Sequence, residues 1–254
     1  MSIGRVLNTA FGAIFGNLFV MLGIAFLFAG IPQGVISYFQ QSVAPQVAAG
    51  SISMSQYFGV VILGALLNMV FTVLAQGALV RATIASSQGQ RATFGECLST
   101  AFRRLLPLLG LGIVSGLAVG FAAILLIVPG IILAVMWYVA APVVIAEREG
   151  VFAALGRSSD LTKGDRWNIF VVLLILFAIL IGLVILAAII GGIAGAMGIL
   201  NSGGTMMALL AGGASVVTGT ISAMIAGALP SAVYVELRGL KEGPEAHGLD
   251  AIFA

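Results

Sequence analysis

APVVIAEREGVFAALGRSSDLTKGDRWNIF, residues 141–170, is the longest charged island in an otherwise apolar chain. Eight charges sit in it: Glu147, Arg148, Glu149, Arg157, Asp160, Lys163, Asp165 and Arg166. A hydrophobic run enters the island and another leaves it. It therefore reads as a cytoplasmic connector between two membrane helices, and the remaining topology can be hung from it.

Composition supports that reading. The chain is 61% hydrophobic and 8% charged, with a mean hydropathy of +1.19. A soluble domain carries about 25% charged residues, so water could not solvate this surface. The 34 glycines suit helices that approach closely in a membrane. The formal net charge of +2 is a modest Arg/Lys excess of the kind that retains loops in the cytoplasm, and nucleic acid is not expected as a partner. With one cysteine, Cys97, and one histidine, His247, no internal disulfide forms and a Cys/His metal site lacks ligands.

Outward from the island, the hydrophobic runs predict six spans: roughly 12–36, 55–83, 105–127, from the Pro129-Gly130 turn to Ala146, 167–197 and 206–235. Arg5 ahead of the apolar stretch Leu18–Phe28 has the outline of a signal peptide. No small-x-small cleavage site follows, so this stretch reads as an uncleaved first span. Residues 39–56 are polar and uncharged and read as an outer loop. Two capping boxes are predicted, Ser53 with Gln56 and Thr93 with Glu96, the second opening an amphipathic helix that ends at Arg103 and Arg104. In the island, Gly164 is expected to end a surface helix and Asp165 to cap the next. All 11 Lys/Arg and all 9 Asp/Glu fall on one side of this topology, and the three opposite loops carry none. The positive-inside bias makes the charged side cytoplasmic, with both termini there. The expectation is one all-α, polytopic membrane domain over 1–254, with amphipathic helices along the cytoplasmic surface.

IGRVLNTAF at 3–11 aligns with FGECLSTAF at 94–102, matching at five of nine positions. FAALGRSSDL at 152–161 is a poorer third copy. Each leads into two spans, which suggests pseudo-repeats over 1–90, 91–148 and 149–238.

Within the spans, Asn68, Thr72 and Gln76 share one helix face as an intramembrane polar seam. Such side chains are costly in lipid unless partnered, so they serve either interhelical bonding or a solute. Gly212, Ser215, Gly219, Ser222 and Ala226, and the pairs Gly116/Gly120 and Gly191/Gly195, read as packing seams. Glu147, Glu149, Asp160 and Asp165 interleave with Arg and Lys and read as surface ion pairs rather than an acid–base couple. Cys97 reads as an inert thiol and His247 as solvated. No phosphate loop, nucleophile elbow or HExxH occurs, so no catalytic, cofactor-binding or metal residue is expected.

The island also resembles a conserved block of a bacterial membrane-protein family, the membrane domain attached to some glycerophosphodiester phosphodiesterases and found alone in small inner-membrane proteins. The residues that carry the resemblance are Pro142, Glu149-Gly150, the Ala-Leu-x-Arg-Ser run at 154–158, Leu161-Thr162-Lys163-Gly164 and Arg166-Trp167, together with the tail YVELRGLKEG. In fused members a separate soluble domain carries the chemistry. The chain ends at Ala254, about twenty residues past the last span, so that activity is not expected here. The resemblance implies a membrane protein that handles or senses lipid, and it brings no catalytic residues.

The leading expectation is a non-enzymatic membrane protein that binds or organises lipid or scaffolds a membrane partner, with Arg103, Arg104, Arg148, Arg157 and Arg166 meeting anionic headgroups. The alternatives are a transporter or channel for an uncharged or amphipathic solute along the Asn68/Thr72/Gln76 seam, and a membrane-embedded lipid-phosphate enzyme.

Overall fold

Hydrophobic runs this long fold as helices because a helix satisfies its own backbone hydrogen bonds, which lipid cannot. A computed structural model describes residues 1–196 and 204–243. Every described element is helical. The order is α1 (Ile3–Gly16), α2 (Leu18–Ala25), a π-turn (Phe26–Gly30), α3 (Ile31–Ala48), α4 (Met54–Ser87), α5 (Phe94–Arg103), α6 (Leu105–Leu125), α7 (Ile127–Met136), α8 (Ala140–Ala146), α9 (Val151–Thr162), α10 (Arg166–Ala196) and α11 (Gly204–Glu242). Six stretches are long and apolar enough to cross a membrane: Leu18–Val43, Met54–Ser87, Leu105–Leu125, Ile127–Ala146, Arg166–Ile189 and Leu209–Glu242. Over the described residues the chain is thus a six-span, all-α membrane protein. The short helices α1, α5 and α9 each precede two spans.

Several boundaries differ from the sequence expectation. Helix α3 runs to Ala48, so the outer loop shortens to residues 49–53. The reversal between the third and fourth spans falls at Leu126, which is extended at φ −155° and ψ 129°. Pro129 and Gly130 lie inside the first turn of α7, where a proline's missing N–H has no helical partner to lose. The fourth span is not one helix: it breaks at Trp137–Val139 between α7 and α8. The Met136 carbonyl at that break accepts hydrogen bonds from Ser158 Oγ at 2.8 Å and Thr162 Oγ1 at 3.3 Å. Ser158 and Thr162 are fully buried, along with Ala154, Leu155 and Leu161, while Phe152 is exposed. Helix α9 therefore packs its inner face on the bundle rather than on lipid. Both capping boxes form as expected, at Ser53/Gln56 and Thr93/Glu96. Gly164 does follow α9, at φ +95°. The Asp165 carboxylate takes a different role: it accepts from the Met1 amine at 2.9 Å and Asn168 Nδ2 at 3.0 Å.

The small-residue seam of α11 packs as expected. A Cβ on Gly34 would stand 2.3 Å from Val216 Cγ2 and 2.9 Å from the Gly212 carbonyl oxygen, so α3 and α11 touch backbone to backbone. Ser215 and Ser37 share a hydrogen bond of 3.0 Å across that contact. Gly116 and Gly120 are a correction: a Cβ there would meet nothing within 4 Å. The reason is that α6 turns outward beyond Leu111, where Leu117 and Phe121 are exposed. Gly191 and Gly195 fall outside the residues whose packing is described, and His247 lies outside the described residues.

Ion pairs draw the charged segments to one end of the bundle. Arg5 meets Glu236 at 2.9 Å, and the Met1 amine meets Asp165 at 2.9 Å. Arg157 pairs with Glu147 at 2.9 Å and also with Glu242, which Arg238 reaches at 2.7 Å. Lys241 donates to the Asp160 and Lys163 carbonyls.

Candidate functional site

Helix α4 ends in Arg81 and the short polar run Ser86-Ser87-Gln88. The chain returns through α5, whose start is fixed by the Thr93/Glu96 box. It is held against α4 at Gly77, where a Cβ would meet Leu108 Cδ1 at 2.8 Å and Ala101 Cβ at 3.3 Å. Arg104 is the hinge between α5 and α6, at φ −107° and ψ 9°. These constraints bring Arg81, Arg103 and Arg104 to one wall of a cavity of about 600 Å³. Arg148, just past α8, and Arg238, on α11, line the same cavity with Ser87, Gln88, Thr100 and Tyr234.

Five arginines thus line one volume whose lining contains no carboxylate. Among the described residues, Arg81, Arg103, Arg104 and Arg148 have no salt-bridge partner, whereas Arg238 is held by Glu242. Arg104 Nη1 donates to the Arg148 carbonyl oxygen at 3.2 Å. Arg148 sits at φ +60°, and it is the one non-glycine residue in the left-handed region among those described. That conformation costs about 1–2 kcal/mol for an L-residue and recurs where a site over-determines the backbone. Four unneutralised arginines repel one another, and an anion of phosphate chemistry relieves that repulsion through bidentate hydrogen bonds.

The sequence-predicted arginines therefore divide. Arg103, Arg104 and Arg148 converge on the cavity. Arg157 is tied to Glu147 and Glu242 instead. Burial alone would lower its pKa, but hydrogen bonds to both carboxylates outweigh this and hold it above its ordinary value. Arg166, at the start of α10, is exposed and apart from the cavity lining. Sequence reasoning did not single out Arg81, which falls inside the expected 55–83 span, or Arg238, which falls in the tail YVELRGLKEG. Their signal was position: each closes a long apolar run on the charged side.

Cys97, behind this wall on α5, is buried, and burial pushes its thiol up to about 11, with the nearby Arg81 charge pulling the other way. That suits an inert thiol.

Two further cavities lie along the spans. Asn68, Thr72 and Gln76 do come together, on a cavity of about 400 Å³ with Gln33, Thr218 and Ser222. Gln76 and Ala226 also line a neighbouring cavity of about 320 Å³, with Ser115, Trp137, Tyr138, Pro142 and Pro230. The Tyr138 hydroxyl is buried without a hydrogen-bond partner among the described residues. Such a group costs about 1–3 kcal/mol. Helices α4 and α11 run parallel past these volumes. The successive α4/α11 pairings are Thr72 with Thr218, Gln76 with Ala226, and Arg81 with Tyr234 and Arg238. Among the described residues no group of His, Cys, Asp and Glu could hold a metal ion.

Compared with known protein families, curated proteins and solved structures, the chain matches none.

Proposed function

We propose that this protein binds an anionic phospholipid, taking its phosphate headgroup into the arginine cavity at the cytoplasmic face of a bacterial inner membrane. The observation that carries the reading is the convergence of Arg81, Arg103, Arg104, Arg148 and Arg238 on one volume with no carboxylate in its lining. Basic pockets between spanning helices on the cytoplasmic side are suited to phosphate headgroups. The orientation follows from the Lys/Arg bias, which places this end and both termini inside. The resemblance of residues 142–167 to the membrane domain of glycerophosphodiester phosphodiesterases supports a lipid setting. The role is binding rather than turnover. Glu147 and Glu242, the carboxylates nearest the cavity, are engaged by Arg157, Tyr234 and Arg238 and are poorly placed to move protons.

Native mass spectrometry of the protein from mild detergent tests this. The expected result is a discrete anionic lipid at fixed stoichiometry, lost in the Arg81→Gln/Arg103→Gln double variant while the fold is retained. A spread of lipids mirroring the host membrane, unchanged in that variant, overturns it.

The seam cavities favour a second reading, passage of a solute through the bundle, because Gln76 and Ala226 line both volumes.

A further inference from the structure

The 320 Å³ cavity has a feature that side chains alone do not reveal. Two prolines line it, Pro142 on α8 and Pro230 inside α11. A proline has no N–H, so Pro230 withdraws the helical donor from the carbonyl four residues earlier, whereas Pro142, in the first turn of α8, has no helical partner to lose. The carbonyl left by Pro230 belongs to Ala226, which lines the cavity together with Tyr138. The α7–α8 break at Trp137–Val139 falls on its wall as well. The Met136 carbonyl at that break is satisfied from α9. No described backbone donor reaches the Tyr138 carbonyl. Non-helical backbone within a span persists where it is buried in protein or lines a polar volume, and an interrupted spanning helix is a mark of a binding site.

Residues with free hydrogen-bonding capacity therefore gather on one volume: Ala226, whose carbonyl lacks its helical donor, Tyr138, whose carbonyl takes no described backbone donor, and Gln76 with its amide. No Asp, Glu, Lys, Arg or His is among the lining residues. We infer that this cavity is a binding site for a small uncharged solute bearing hydroxyl groups. Its hydroxyls donate to the Tyr138 and Ala226 carbonyls, and its oxygens accept from the Gln76 amide. An ion is disfavoured because nothing in the lining neutralises it. The continuation through Gln76 and Ala226 into the Asn68/Thr72 cavity gives the solute a route along α4 and α11 with polar side chains at intervals. The site is separate from the arginine cavity and stands whether or not a lipid occupies the latter.

Trp137 lines the cavity, and the chain has two tryptophans, so Trp167→Phe leaves Trp137 as the sole reporter. The protein is placed in nanodiscs prepared without glycerol and titrated with glycerol and, separately, with 1-propanol. The expected result is a saturable change in Trp137 emission with glycerol and at least tenfold weaker response to 1-propanol. Gln76→Leu should abolish it. Pro230→Ala restores an N–H to the Ala226 carbonyl and, by improving the helix, keeps the fold. It should weaken glycerol by several-fold, while Arg81→Gln leaves the titration unchanged. A non-saturable response, a tighter response to 1-propanol, or the same curve in Gln76→Leu and Pro230→Ala overturns the inference.

Discussion

Arg157 and Arg103 carry the same charge, lie at the same end of the bundle and look alike in the sequence. In the structure one is a clasp and the other is an open hand. Arg157 bridges Glu147, just past α8, to Glu242, at the end of α11, so it ties three elements together. Arg103, with Arg81, Arg104 and Arg148, faces a cavity that offers guanidinium groups to one another and no anion. A cation next to its carboxylates adds to the fold. A cation kept among other cations costs the fold.

The largest effect should come from breaking the clasp. Arg157→Gln leaves Glu147, which is largely buried, without a cation and leaves Glu242 with Arg238 alone. Removing one partner of a fully buried pair costs roughly 3–5 kcal/mol. Arg157 is 32% exposed, and solvent screening reduces the figure to about 2 kcal/mol. Thermal unfolding in detergent should show a clear loss of stability. An unchanged midpoint would mean that the clasp is ornamental and the comparison fails.

The open arginines should behave oppositely. Arg103→Gln should change stability by no more than about 0.5 kcal/mol, as surface changes do, yet lower the affinity for anionic lipid by about tenfold, the ~1.4 kcal/mol worth of one charge-assisted contact. Arg148→Gly sharpens the contrast, because glycine accepts a φ of +60° without a Cβ penalty. It should raise stability or leave it unchanged while weakening the lipid, as read by unfolding and lipid retention on the same sample. Loss of stability with lipid affinity intact would reverse the assigned roles.

How much of this the sequence carried depends on the kind of interaction. Span number and the gathering of charge at one end were legible, because they rest on transfer free energies that add up along the chain. The capping boxes at Ser53 and Thr93 were legible for the same local reason. The break at Trp137–Val139 was not: nothing in APVVIAE or its neighbours announces that Ser158 and Thr162 will satisfy the Met136 carbonyl. That substitution is made across tertiary space, and a hydropathy window sees only an apolar run. The arginine cavity was half legible for a related reason. Arg103, Arg104 and Arg148 stood out as charges, whereas their convergence with Arg81 and Arg238 depends on α4 and α11 running side by side. Arg157 was misplaced because its partner Glu242 is 85 residues away.

A smaller effect concerns the tie between the start of α1 and the start of α10. Burial would raise the Asp165 pKa, but hydrogen bonds from the Met1 amine and Asn168 outweigh it and hold the carboxyl below its ordinary value. A depressed folded-state pKa adds stability that is present above the ordinary aspartate range and lost as pH falls through the folded value. Unfolding midpoints followed down to acidic pH should therefore fall less steeply in Asp165→Asn than in the wild type. Parallel curves would show that the contact does not couple to the fold.

The smallest effect reads the cavity's field directly. The Cys97 thiol is raised to about 11 by burial, and the Arg81 charge opposes that rise. If Arg81 is an unneutralised cation, Arg81→Gln should push the thiol higher still and slow its alkylation, because the thiolate is the reacting form. A bound phosphate would screen Arg81 and act in the same direction, so anionic lipid should slow alkylation in the wild type but not in Arg81→Gln. The single cysteine makes the measurement clean, since iodoacetamide has one thiol to find. Equal rates with and without lipid in the wild type would mean that the phosphate does not sit against Arg81. The arginines would then be open for a reason other than this ligand, and the contrast with Arg157 would survive as a difference in pairing alone.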